Sequence, residues 1–574
     1  MGYFKRLIQR IEVRDEDTDP SESHQWSNLD LAVTPKEERI WGSWTFAAFW
    51  TAHAAGAGPW TSGSSIVALG LSPIVAWVTL ATSHALITAL IVLNGRASAR
   101  YHIGFPVFAR TVYGMWGSYL AVSMRMVVCI IWQGVNSWYA SRLVWVGICA
   151  IWPSWRILPN ALPVSASITS TQLASFFLFM MVQQTLACFH ARDLKHFYHI
   201  KSVSVFLAFH GILIWWMVKA GGAQINEFTS KSMPHGEWLW LAAQSFNAGL
   251  GAASSLTVNQ GDMTRYASKP SAAIWSTSIV YPIASALPCL YGILVASASK
   301  SMTGKAFWNL WDTLDYMLQL YPDNRGARFL ICMASWLVAL SYAGVNASTN
   351  MLPFGSDLAA LWPRFWTIRR GQFLCSLLGV AIVPWKLLTD AARFITFLSG
   401  YGYWLAPIAG CLFADYWLVS KGNIDVSQLY TSNPNGRYWY SRGWNWRPVL
   451  VTFLSLLPCL PGFAQQIASH DLGLSYIGKK LFFVSFVLTY ALSIGLYLFC
   501  TYAFPRSYVR EYNLKAQTWE QLADEDDARE RADESLAMVE DASATLATGE
   551  DKSETKSLEA LAYVEPARGI DELR

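Results

Sequence analysis

The chain is 574 residues long, 53% of them hydrophobic and only 14% charged, which excludes a soluble multidomain protein in favour of an integral membrane one. A formal net charge of +4, with no basic stripe interleaved with aromatics, excludes nucleic acid as a partner. Nine scattered cysteines, among them Cys129, Cys149, Cys188 and Cys289, form no CxxC pair and no metal-like spacing, so they are apolar fillers and no metal or cofactor is expected.

Charge is dense in residues 1–42, thin over 43–503 and dense again over 504–574. This divides the chain into an N-terminal tail, a membrane domain and a C-terminal tail. The opening stretch MGYFKRLIQRIEVRDEDTDPSESHQW has no apolar core of signal-peptide length, so insertion is expected to begin at the first span. Twelve apolar runs follow, near 43–69, 71–93, 114–149, 171–191, 199–219, 237–258, 271–297, 328–360, 371–388, 393–420, 448–468 and 480–503. An even count puts both tails on one side. The loops of that side carry Arg96, Arg100 and Arg110; Arg192, Lys195 and Lys201; Arg265 and Lys269; Arg364, Arg369 and Arg370; and Lys421, Arg437, Arg442 and Arg447. By the positive-inside rule both tails are cytoplasmic, in a multi-pass protein whose apolar faces meet lipid.

In chain order, the first run carries His53 and then Gly56, Gly58 and Pro59 near its middle, where glycine weakens a helix and proline removes a hydrogen bond. An ionisable residue at membrane depth is a functional candidate, and a histidine changes charge near neutral pH; a neutral ring bonded to a freed carbonyl is the plainer role. The third run holds Trp132 and Asn136 four apart, an indole face beside an amide, with packing as the alternative. Arg125, seven residues earlier, must turn inward and find a partner. The sixth run is interrupted by Asn247, Gly249 and Gly251, five runs after the first interruption; paired interruptions point to a solute site built on broken helices. Asp262 closes that run near Arg265, and Asp357 closes the eighth near the PRFWTIRR cluster, so both read as ion pairs on the tail side, forming a gate. Within the eighth run Asn346 and Asn350 share one helical face, offering donors and acceptors to a ring edge or glue between helices. After the last run, residues 511–574 hold 18 acidic and 7 basic side chains, a composition for disordered or weakly helical chain that cytosolic sorting or ubiquitination machinery could reach.

In this order, NLDLAVTPKEERIWGSW, GSSIVALGLS, IIWQGVNSW, NQGDMTRYA, NASTNMLPFGSDLAALWPRF, FLSGYGYWLAPIAGCLFADYWLV and GRYWYSRGWNWRP resemble the fungal Fur-type branch of the nucleobase:cation symporter-1 family over roughly residues 28–503. The resemblance implies an all-α polytopic fold: a ten-helix, LeuT-like core of two inverted five-helix repeats plus two further helices, with spans 1 and 6 broken and alternating access at mid-membrane. It implies a permease, not an enzyme, for uracil, uridine, allantoin or a related small molecule. Trp132, Asn136, Asn346, Asn350, Gly56 and Gly58 then become binding residues, and His53, Asp262, Asp357, Leu398 and Tyr401 candidates for proton coupling or gating. Asn136 departs from the glutamine of uracil- and allantoin-type members, which keeps the thiamine and nicotinamide riboside branch open. Gly344 and Val345 stand where sodium-coupled relatives have a Ser-Thr pair, so the proton is favoured over sodium. A receptor that senses a nutrient without moving it is the alternative of another class.

Overall fold

The computed structural model describes residues 12, 25–54, 56–187, 195–224, 234–468, 470–505 and 518–548. Cys188, Arg192 and most of both tails therefore lie outside the described residues. Helices supply nearly all of the regular structure, alongside two isolated backbone bridges, Trp41 with Ala267 and Ser441 with Trp444.

The first apolar run is two helices, α1 (Ser43–Ala54) and α2 (Ala57–Ala68), because Gly56 between them is extended (φ −129°, ψ 161°). There follow α3 (Pro73–Tyr101), α4 (Phe105–Tyr113), α5 (Ser118–Ile151), α6 (Ser170–Ala187) and α7 (Lys195–Ala220). The sixth run is again two helices, α8 (His235–Ala253) and α9 (Leu256–Thr264). Next come α10 (Pro270–Thr303), the short α11 (Leu310–Leu320), α12 (Arg325–Val345), a π-helical turn (Asn346–Met351) and α13 (Leu352–Leu361). The remainder is α14 (Ile368–Ala381), α15 (Ala391–Phe413), α16 (Trp446–Leu456), α17 (Leu460–Ile467), α18 (Tyr476–Lys480), α19 (Ser485–Ala503) and α20 (Gln521–Thr548).

Among the described residues nine helical stretches are long and apolar enough to cross a membrane, against the twelve expected. The runs at 43–69, 237–258 and 371–388 fall short. The first is two 12-residue helices, the second a 19- and a 9-residue helix, and the third a 14-residue helix.

Starts and stops follow local chemistry. Asp390 caps α15 by accepting the Arg393 N–H at 2.9 Å, Asn324 caps α12 through Ala327 at 3.0 Å, and α10 ends where Gly304 turns left-handed (φ 76°). Glycine sets the closest helix approach. A β-carbon on Gly63 would lie 2.3 Å from the Cys289 carbonyl oxygen, and one on Gly292 2.2 Å from that of Trp60, so α2 and α10 meet backbone to backbone.

Both tails bind one face, and Arg96, Arg100 and Arg265, among the basic residues expected on it, are their partners. Arg265 donates to Thr34 Oγ1 (2.6 Å) and to the carbonyls of Asp30 (2.9 Å) and Ala32 (2.5 Å), while Trp41 N–H donates to Tyr266 O at 2.9 Å. The expectation of a loose C-terminal tail is corrected for 518–548. Glu520, only 5% exposed, accepts from Arg96 (2.6 Å, two bonds) and from the Tyr416 hydroxyl (2.6 Å), and Trp519 stacks on Trp417 at 4.8 Å. Asp524 and Asp527, on α20, pair with Arg100 at 2.5 Å each. Net acidity predicted solvation; the ordered part is held because that acidity meets a matching basic face.

Glu520→Ala removes the acceptor of three charge-assisted or hydroxyl bonds, a loss of about 1.5–3 kcal/mol for a bond to a charged group. Amide exchange over 518–530 is expected to speed up while α10 stays as protected as before. Unchanged protection of 518–530 would mean that Trp519 and the two aspartates hold the segment without it.

Candidate functional site

A cavity lies where the two interruptions meet. Its wall takes His53, Gly56, Gly58, Pro59 and Ser62 from either side of the first break and Ala252, Ser255 and Leu256 from either side of the second. His84 of α3, Trp132 and Asn136 of α5, Tyr281 and Ser285 of α10, and Phe394 and Leu398 of α15 complete the sides. Tyr342, Val345, Thr349 and Asn350 close it along α12 and the π turn. The lining is the usual mixture of aromatic surface with a few convergent polar groups.

The two asparagines four apart both lie in the π turn and are in contact. Residues four apart are neighbours on one helical face, and the Asn350 Nδ2 donates to Asn346 Oδ1 at 2.7 Å. Pro353 contributes as well. Lacking an N–H, it leaves the Thr349 carbonyl, four residues back, without its usual helical partner, and Asn259 of α9 donates its Nδ2 there at 2.9 Å. The turn is thus tied to the second broken segment.

The residues expected to bind divide. Trp132, Asn136, Asn350, Gly56 and Gly58 line the cavity; Asn346 does not. It is fully buried behind the wall, donating to Gln183 Oε1 (2.7 Å), Ser137 Oγ (3.2 Å) and Gln133 O (3.3 Å), and accepting from Asn136 Nδ2 (3.1 Å). The expected direct solute contact at Asn346 is therefore corrected to a supporting position, because helix periodicity gives the face and only packing gives the depth.

Leu398 is in the wall, and Tyr401 stands edge-on to Trp132 at 5.1 Å, with Phe397 on the same indole at 5.0 Å. The indole is held from behind, leaving its remaining surface to the cavity. Trp311 of α11 packs on Tyr139 at 5.0 Å, and Trp308 packs at 6.1 Å on Phe394 of the wall. His53 lies among Phe49, Trp50 and Tyr281, its Nδ1 buried and without a hydrogen-bond partner among the described residues.

The two aspartates pair, but not with the basic cluster expected. Arg125, fully buried, donates Nη1 to Asp262 (2.6 Å) and Nε and Nη2 to Asp357 (2.8 and 2.5 Å), with its guanidinium 4.0 Å from the Phe105 ring. Asp262 also accepts the Phe105 N–H at 3.1 Å. Arg265 is taken up by the N-terminal segment, as above, so the partner that Arg125 required is this pair.

Lys201 corrects another expectation. Assigned to a loop, it lies in α7, 4% exposed, and its Cδ is 3.4 Å from where a β-carbon of Gly344 would sit. His84, Tyr281 and Tyr342 were missed because none stands in a quoted motif; the spacing of Tyr342, four residues before Asn346, was the one available signal.

A family model described as "Permease for cytosine/purines, uracil, thiamine, allantoin" matches residues 33–492. The chain is 35% identical over 444 residues to an uncharacterized permease of Schizosaccharomyces pombe, covering 77% of this chain and 74% of that one. It is 29% identical to the uracil permease of Saccharomyces cerevisiae, covering 83% and 76%. Among solved structures, the nucleobase-cation-symport-1 family transporter Mhp1, closed with bromovinylhydantoin bound, superimposes with a TM-score of 0.64 at 19% identity. That match covers 85% of this chain and 99% of Mhp1, and it shows the fold.

Proposed function

The chain belongs to the family of permeases for cytosine and purines, uracil, thiamine and allantoin, and from that premise we propose that it imports a nucleobase-like or ureide solute by proton symport with alternating access. The observation that carries this reading is the convergence of the Trp132 indole with the Asn136 and Asn350 amides on one cavity between two interrupted helices. An aromatic face and amide edges suit a flat ring bearing N–H and C=O groups. The Arg125–Asp262–Asp357 cluster, between α5, α9 and α13, is the gate of this mechanism: α9, one segment of the second broken run, can swing away from α5 only if the Arg125–Asp262 ion pair parts. Its place is the plasma membrane, with both tails in the cytoplasm. Asn136 in place of glutamine favours, as the second reading, a vitamin or nucleoside of the thiamine and nicotinamide riboside kind.

The test is uptake of labelled uracil or allantoin in yeast lacking its own permeases, challenged by purines, pyrimidines, ureides and vitamins. Accumulation against a gradient supports a transporter and the competitor ranking selects the class. Binding without accumulation would point to a receptor.

For the coupling ion, Gly344 and Val345 offer no hydroxyl, and the basic side chain of Lys201 lies against Gly344. Both features disfavour a hard cation that needs several oxygen ligands. Uptake is expected to survive replacement of sodium by choline and to collapse with a protonophore. His53→Gln is expected to flatten the dependence of uptake on external pH. Sodium-stimulated uptake would overturn the ion, and a full pH dependence in His53→Gln would move the proton to another group.

A further inference from the structure

Asn346 has one neighbour that cannot change its role. The Gln133 carbonyl is a backbone acceptor in the middle of α5, and it lies 3.3 Å from the Asn346 amide nitrogen. Turned over, Asn346 would set its own oxygen against that carbonyl, which biases its nitrogen toward α5 and α6, but at 3.3 Å this long bond does not fix the amide by itself. There it also meets Gln183 Oε1 at 2.7 Å, the shortest bond the nitrogen makes. The Asn346 oxygen consequently faces the other way, and it receives the nitrogens of both cavity asparagines, Asn136 at 3.1 Å and Asn350 at 2.7 Å.

The consequence reaches the cavity. With both nitrogens turned toward Asn346, the side-chain carbonyl oxygens of Asn136 and Asn350 accept no hydrogen bond from any described residue, although each residue is 5% exposed and lines the wall. Two acceptors are left for the solute. An acceptor in a dry wall that meets another acceptor pays the desolvation of both, whereas one that meets an N–H is satisfied.

Resting on the proposed function, we infer that Gln183 and Asn346 set the hydrogen-bond polarity of the cavity. They hold the Asn136 and Asn350 carbonyls toward the solute and so select planar rings that present N–H donors to α5 and the π turn. Gln183, fully buried on α6, is a positioning residue in this selection: it makes no contact with the cavity and acts through Asn346. Cyclic ureides and lactams with free ring N–H groups belong to the selected class. Their N-methylated counterparts, with the same ring and one donor fewer, do not.

The experiment uses the full chain, purified in detergent, and measures ligand-induced thermal stabilisation, with uptake of the same compounds in cells as a parallel reading. The probes are uracil, hydantoin and allantoin; the 1-methyl and 3-methyl derivatives of uracil; and 6-methyluracil, which adds the same methyl on carbon as a control for bulk. Wild type is expected to bind at least one N–H-bearing ring about tenfold or more tighter than its N-methyl derivative, the loss expected for an unmet buried acceptor. Gln183→Leu is expected to shrink that ratio to within about twofold to threefold by weakening the N–H-bearing ring. Gln183→Glu, which keeps an oxygen for the Asn346 nitrogen at nearly the same volume, is expected to restore it. It also serves as the folded comparison if the leucine variant proves unstable. Equal binding of methylated and unmethylated rings by wild type, or a ratio unchanged in Gln183→Leu, would overturn the inference and leave the proposed function standing. Failure of every ring to bind or enter would overturn both.

Discussion

Arg125→Leu is expected to remove both transport and most of the folded protein. The guanidinium is wholly buried and is bound by two buried carboxylates, Asp262 at 2.6 Å and Asp357 at 2.5 Å. Taking away one partner of a buried ion pair strands the other, at about 3–5 kcal/mol, and here two carboxylates are stranded at once. Surface expression in cells and the melting temperature of the solubilised protein measure the loss. A repair separates stability from function. Arg125→Leu combined with Asp262→Asn and Asp357→Asn leaves no charge in the cluster, so it is expected to recover folded protein well above the single variant. Uptake is not expected to return, since a neutral cluster no longer alternates between paired and separated states. A stable Arg125→Leu would contradict the buried-charge account, and wild-type uptake by the triple variant would reduce the cluster to a structural tie.

Asn350→Ala is the second large effect expected, and its signature is the reverse: normal folding with failed transport. The side chain gives up one bond, its Nδ2 to Asn346 at 2.7 Å, and Asn346 retains Asn136 as a donor to the same oxygen at 3.1 Å. Inside the protein little is left unsatisfied. Toward the cavity, however, the solute loses an acceptor in a dry wall, worth about 1–3 kcal/mol, or roughly tenfold and more in uptake. Initial rates normalised to protein at the cell surface give the answer. Rates equal to wild type across a range of solute concentrations would remove the π turn from the binding surface.

The two asparagines show how far a sequence can be read. Their spacing placed both on one face, and that held. It could not tell that Asn350 reaches the cavity while Asn346 stops behind it, because depth depends on α5 and α6, which contribute Gln133, Ser137 and Gln183 from 163 to 213 residues away in the chain. Arg125 is a parallel case. That it needed a partner was legible, since a lone charge among apolar residues is untenable. Which acids would meet it was not, for they lie 137 and 232 residues further on, and the nearer-looking arginines were already engaged.

Composition alone determined that this is a membrane protein, because hydrocarbon selects apolar residues one by one over about 20 positions, whatever the chain does elsewhere. Glycine and proline likewise marked the first interruption locally, through their own backbone energetics. Tertiary structure alone decided the remainder: the burial of Lys201 against Gly344, the entry of His84, Tyr281 and Tyr342 into the wall, and the docking of Glu520 between Arg96 and Tyr416. In each the deciding term is a contact between helices remote in sequence. Periodicity can name the face a residue occupies, and only packing supplies what stands opposite it.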